Sequence, residues 1–327
     1  MTVQAPEAPL RELTNEEVAA YREDGAIRAS GLFSEEWVAR ITEAVDYVLA
    51  NPSVLAQATA DFSEGKANGD AFMWKTHEAF RDFVFRSPAS RVAQRLFGSQ
   101  TVTAFYDQVF TKPRGTAKPT PFHEDATSFP IDGDQVCAMW IALDHCGPET
   151  AALTVVRGSH RWERDRAPVT SSLMHRAMQA GQTTPEAGTA PESGAGAESG
   201  GGARSETRRD VLTWDEEDLL AWDLAPGDAV IFHPAALHGS TGTAPAHGRR
   251  AFVSRWLGDG VTFQPKKGVM PILWDPGLEP GEPMGGPLFP RVLPTVDFGT
   301  GKGADQWEAQ QPDPERLGHF LRRIGRG

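Results

Sequence analysis

The chain has 327 residues, enough for one large domain whose core can enclose a small-molecule pocket. Its formal net charge of −12, with no Lys/Arg block carrying interleaved aromatics, argues against nucleic acid as a partner. No apolar run is long enough to span a bilayer and the first 14 residues show no leader pattern. Two cysteines, Cys137 and Cys146, make neither a disulfide framework nor a CxxC zinc motif, so a cytoplasmic protein is expected.

The first predicted helix is "LTNEEVAAYREDG", with Thr14 or Asn15 as N-cap, acidic residues in its first turn and Gly25 as its stop. In "SEEWVARITEAVDYVLAN" Ser34 caps a second helix whose Trp37, Ile41, Val45 and Val48 share one face. "SPASRVAQRLFGS" reads as a third, closed by Gly98. From about residue 100 the period changes. "TVTAFYDQVFTKP", "QVCAMWIALDH", "AALTVVRGSH", "LLAWDLAPGDAVIFHP" and "RRAFVSRWLGDG" are β-branched and aromatic runs bounded by Gly, Pro and Asp. Helices first and strands after, without βαβ alternation, predict a mostly antiparallel sandwich or barrel with helices packed outside. Residues 180–210 are dominated by Gly, Ala, Ser, Glu and Thr and read as a disordered insertion. The Pro- and Gly-rich tail from Thr262 is expected to wrap the core without regular structure.

Inside "PTPFHEDATSFP", His123 and Asp125 stand two apart, which on a strand puts both on one face. A second imidazole has to come from elsewhere, and His233, His238 and His247 of the last strand unit are the candidates. Two histidines and one carboxylate leave coordination positions open, the facial arrangement of non-haem Fe(II) oxygenases. Arg249 and Arg250 follow at the start of the next strand, where a guanidinium can grip a carboxylate through two parallel hydrogen bonds. Period-two alternation sends them to opposite faces, so only one can look inward.

Five segments together resemble the phytanoyl-CoA dioxygenase family of Fe(II)/2-oxoglutarate-dependent oxygenases: "YREDGAIRASGLFSEE", "FYDQVFTKPRG…PFHED", "VCAMWIALDH", "RGSHRW" and "GDAVIFHPAALHGS…RRAFVSRW". The resemblance runs from about Leu13 to beyond Gly260, the insertion excepted. It implies a double-stranded β-helix (jelly-roll, cupin-like) core with flanking helices. It also implies His123, Asp125 and His238 as iron ligands and Arg249, with Ser240 assisting, on the distal carboxylate of 2-oxoglutarate. Trp140 becomes a wall of the co-substrate pocket, Lys75 in "MWKTHEAF" a further contact, and His233 a structural histidine. In place of the Asn-Gly turn common in the family before the "GSH" strand stands "GPETAAL".

The expected organisation is one oxygenase domain over residues 1–327: a helical part at about 14–98, a β core at about 100–260 and a tail at 261–327. The expected reaction hydroxylates a small-molecule metabolite with O2, releasing succinate and CO2. Related halogenases carry Gly or Ala where Asp125 stands, so its carboxylate argues for hydroxylation or a kindred oxidation. A catalytically silent protein, or a cupin-like metal-binding protein without 2-oxoglutarate, is the alternative. Substrate and oligomeric state are not legible in the sequence.

Overall fold

The computed structural model describes residues 5–59, 70–117, 119–162, 215–266, 272–295 and 312–323. The low-complexity segment 180–210 lies outside them, as does Lys118. Three helices have the ends their sequences dictate. In α1 (Asn15–Asp24) the Thr14 hydroxyl accepts from Glu17 N while the Glu17 carboxylate accepts from Thr14 N, and Gly25 closes the helix at φ 82°. In α2 (Glu35–Ala50) Ser34 caps the first turn, and Trp37, Ile41, Val45 and Val48 are buried together. A short α3 (Val54–Thr59) and α4 (Glu78–Arg86) precede α5 (Ala89–Phe97), which ends on left-handed Gly98.

The sequence shows no ordinary start signal for α4. Its cap is His77, whose ring accepts from Ala79 N, and its run Phe80, Phe83, Phe85 resembles a strand in composition.

Six strands form the larger, antiparallel sheet. They are β1 (Ala26–Ala29), β2 (Val102–Lys112), β5 (Val136–Ala142), β8 (Ala229–Phe232), β10 (Arg249–Leu257) and β12 (Arg291–Leu293), in the order β1-β8-β5-β10-β2-β12. A smaller sheet, ordered β3-β9-β6-β7, is built from β3 (Thr120–His123), β6 (Thr154–Val156), β7 (Leu219–Leu220) and β9 (His238–Ser240). β4 (Ile131–Asp132) pairs with β11 (Thr262–Phe263). The two curled sheets make the jelly-roll core with helices outside. Contrary to the expectation of an irregular tail, β12 pairs with β2 at the edge of the large sheet, and α6 (Pro314–Arg323) sends Phe320 into the core. Neither is visible as a pattern because Pro and Gly dominate their surroundings.

Alternation along each central strand divides the molecule in two. Phe252 and Trp256 of β10 and Cys137, Met139 and Ile141 of β5 pack against Trp37, Ile41, Phe80, Phe83 and Leu96 of the helices. Trp256 satisfies its indole N–H on Ser254 Oγ at 3.0 Å, so burial of the whole ring favours the fold by about 1.5–3 kcal/mol. The alternate residues Arg249, Ala251, Val253 and Arg255 of β10, with Trp140 of β5 and Val230 and Phe232 of β8, face the interior between the sheets.

On the helix-facing side of β2, Asp107 Oδ2 accepts from Trp74 N at 2.9 Å, and its Oδ1 has no hydrogen-bond partner among the described residues. Burial raises this carboxyl to about 7 against the opposing hydrogen bonds from the Trp74 and Met73 backbone. Its folded value lies above its unfolded one, so its favourable contribution is complete below the unfolded value and is lost as pH rises towards 7. Asp107→Asn keeps the acceptor without the charge. We expect it to melt higher than wild type at pH 8 but not at pH 4, by an amount of up to about 4 kcal/mol. Parallel melting curves at the two pH values are the check, and an equal difference at both would refute the assignment.

Candidate metal centre

His123 ends β3, and His238 begins β9 directly across from it in register. Their rings lie 4.4 Å apart between centroids. Asp125 reaches the same place by another route than the strand alternation predicts. β3 stops at His123, and Asp125 takes a helical conformation at the head of a 3-10 turn, Ala126–Ser128, its N–H held by Pro234 O at 2.8 Å. The Pro234 carbonyl therefore ties the carboxylate loop to the β8–β9 connection that carries His238.

Among the described residues, His123, Asp125 and His238 are the one group of three whose ligand atoms converge, all within 4.8 Å of one another. Asp125 Oδ1 lies 3.6 Å from His123 Nε2 and 3.7 Å from His238 Nε2. Both rings are oriented in the same way. His123 Nδ1 is 2.8 Å from Pro121 O and His238 Nδ1 is 2.9 Å from Ala236 O. A carbonyl can only accept, so each Nδ1 carries the proton and each Nε2 offers its lone pair to the centre. Gly239, next to His238, has no room for a side chain, since an added Cβ would come 2.7 Å from Thr120 O. This donor set, two imidazoles and one carboxylate with tautomers fixed from outside, fits a divalent transition metal.

Electrostatics agree with that use. Burial opposes the charge on Asp125, but the hydrogen bond with His123 and the charges of Arg255, His238 and His123 hold the carboxyl well below the usual range. Burial, reinforced by His123, lowers His238 to about 4, so it stays neutral. Burial also disfavours charge on His123, yet the hydrogen bond and charge of Asp125 outweigh it and raise the ring.

Of the two adjacent arginines, Arg249 is the inward one. It is 5 % exposed, donates from Nε to Ala151 O at 3.2 Å and from Nη1 to Phe110 O at 3.3 Å, and lies 5.4 Å from the Trp140 ring. Arg250 turns to the other face, where Asp144 and Asp46 bind it. Ser240 Oγ contacts the same Ala151 carbonyl at 3.5 Å. That carbonyl is aimed by the unusual "GPETAAL" turn: Ala151 sits at φ 65°, a conformation seldom taken without glycine. Lys112 stands opposite Arg249 in the β2–β10 register, and an open cavity of about 400 Å³ at these strand ends is lined by both, by Arg250 and by Arg114 and His247. Burial, then the charge of Arg249, lowers Lys112 to about 8.

Lys75 is buried over the Trp74 ring at 5.0 Å, and no described contact joins it to Arg249 or the triad. His233 stands apart from the triad, with Nε2 3.2 Å from Asp134 O. His247 lines the cavity beside Arg249 instead. Sequence reasoning passed over Ala151 and Arg255, although Arg255 follows Arg249 by an even number of residues and so shares its inward face.

Two histidines and a carboxylate on a jelly roll define a cupin-like fold with a candidate metal centre. The phytanoyl-CoA dioxygenase (PhyH) family model matches residues 21–251, and the chain belongs to that family. Among solved structures it is similar to the non-heme alpha ketoglutarate dependent carbocyclase SnoK from nogalamycin biosynthesis, at 21 % identity and TM-score 0.59 over 88 % of this chain and 100 % of that one. The epimerase SnoN in complex with Fe3+, alpha ketoglutarate and nogalamycin RO matches at 19 % and 0.58, covering 85 % and 97 %. EctD from S. alaskensis with 2-oxoglutarate and 5-hydroxyectoine matches at 18 % and 0.58, covering 86 % and 89 %. At these identities the likeness establishes the fold. A comparison with curated protein sequences finds no match.

Proposed function

We propose that this protein is a non-haem Fe(II)- and 2-oxoglutarate-dependent dioxygenase that hydroxylates an unactivated C–H bond of a small-molecule metabolite. The observation that carries the reading is the convergence of His123 Nε2, Asp125 Oδ1 and His238 Nε2, with Arg249 inward on the same barrel. Iron and 2-oxoglutarate, when bound, supply the oxidising chemistry, with succinate and CO2 as co-products. The chain holds and orients. The triad presents three ligands on one side and leaves the other for co-substrate and O2. Arg249 offers its guanidinium to the distal carboxylate, Ser240 assists from the Ala151 turn, and Trp140 forms the wall behind. Lys75, buried over the Trp74 ring, is a further contact in the same reading.

The similar structures include a carbocyclase and an epimerase; hydroxylation is the simplest oxidation that a complete triad supports, and the proposal of hydroxylation rests on that. The same reading takes residues 1–327 as one oxygenase domain interrupted at 180–210, working in the cytoplasm. No helix among the described residues is long and apolar enough to cross a membrane.

Anaerobic titration with Fe(II) and 2-oxoglutarate tests the proposal. A weak visible metal-to-ligand charge-transfer band is expected, absent in Asp125→Ala, and succinate release then serves to screen substrates. Iron binding without the band would favour the 2-oxoglutarate-independent cupin-like protein. No iron binding would favour the silent one.

A further inference from the structure

Arg255 is 2 % exposed and lies on the inward face of β10, six residues beyond Arg249. At about 3.3 Å per residue the two are roughly 20 Å apart along the strand, too far to share one carboxylate. The other arginines of β10 satisfy their donors on several partners, Arg249 on two carbonyls and Arg250 on two aspartates. Arg255 does not. Its one hydrogen bond among the described residues runs from Nη2 to Asp125 Oδ2 at 3.1 Å, while Nε and Nη1 are buried without a partner. Leaving such donors unmet in the interior is unfavourable, which a purely structural arginine would avoid.

The surrounding chain is shaped to keep it there. Ser254 and Trp256 pair with Asp107 and Ala104, so a bulge sets two β2 residues, Phe105 and Tyr106, opposite the single Arg255. Its guanidinium carbon stands 4.2 Å from the Tyr106 ring centroid and 5.7 Å from that of Phe129. These rings offer their negative faces to a cation that has little else.

We propose that Arg255 is a positioning residue of the metal centre: by occupying Asp125 Oδ2 it turns Oδ1 alone towards His123 and His238, making the carboxylate a one-oxygen ligand of fixed direction. The large sheet thereby reaches across to set the geometry of a triad built entirely on the small sheet and its loop. A bulge in β2, a buried cation and the carboxylate that follows β3 form one unit. The inference rests on the oxygenase reading for the iron, but its geometric content concerns any divalent ion in the triad.

Co(II) binding in a double-mutant cycle of Arg255→Met and Asp125→Asn tests it, because the visible Co(II) spectrum and affinity need neither 2-oxoglutarate nor turnover. With Arg255→Met folded by circular dichroism, we expect Co(II) affinity to fall at least about tenfold and the spectrum to change, as for other residues that orient ligands. In the Asp125→Asn background the same substitution should change little. Arg255→Lys, which keeps the charge, should fall between wild type and Arg255→Met, and it replaces Arg255→Met in the cycle if that variant does not fold. Wild-type affinity and spectrum in the folded variant, or equal losses in both backgrounds, overturn the proposal. The charge-transfer band of wild type with Fe(II) and 2-oxoglutarate separates the two readings. Its absence with coupling intact removes the oxygenase function alone, and its presence without coupling removes the role of Arg255 alone.

Discussion

His238→Ala is expected to abolish turnover by loss of iron. The ring is 4 % exposed, its Nδ1 is held by Ala236 O, and its Nε2 points to the same locus as Asp125 Oδ1. Alanine leaves two ligands, and the ring of His233 is engaged with Asp134 O. The measurement is anaerobic iron titration alongside succinate release, with His233→Ala as the comparison that should retain iron. Full activity with stoichiometric iron in His238→Ala would dismiss the ligand assignment. Asp125→Ala should lose iron as well, for it removes the only anion among the three.

Arg249→Ala should leave iron bound and raise the 2-oxoglutarate requirement by about a hundredfold or more, the scale of removing one partner of a buried charge pair. The side chain is already oriented by Ala151 O and Phe110 O, so little ordering remains to be done when a carboxylate arrives. Arg250→Ala should instead lower stability and leave the requirement unchanged, because its partners are Asp144 and Asp46. A pH effect accompanies this. Lys112 is the register partner of Arg249 across β2 and β10 and carries its charge only below about 8, whereas Arg249 is lowered by burial only to about 10. The KM for 2-oxoglutarate should therefore rise as pH increases from 7 to 9, and Lys112→Met should remove that step. A KM flat across this range in wild type would exclude Lys112 from the pocket.

Much of this site is legible in the sequence because it depends on local spacing. His123 and Asp125 are neighbours, Arg249 and Arg250 alternate by the strand period, and Thr14, Ser34, Gly25 and Gly98 bound their helices by capping chemistry. Other parts depend on contacts far along the chain. Asp125 is placed by Pro234 O, more than a hundred residues away, and no alternation rule contains that bond. Ala151 looks unremarkable until its positive φ is seen to aim a carbonyl at Arg249. Arg255 reads as one more charge in a strand, since its meaning comes from a bulge in β2. The helix α4 lacks a cap that propensity recognises, and β12 is recruited by an edge it cannot announce alone.

The bond between Arg255 of the large sheet and Asp125 beside the small one has a practical consequence. A metal ion seated in the triad would be linked through it to both layers of the barrel, so occupancy and unfolding are thermodynamically joined. Any ligand that binds only the folded state adds about 2.7 kcal/mol at a hundred times its dissociation constant. The melting temperature is thus a reporter that needs no knowledge of the reaction. Iron, then 2-oxoglutarate, then the true substrate should each raise it in turn, and a library of metabolites can be ranked by heat alone before any product has been identified.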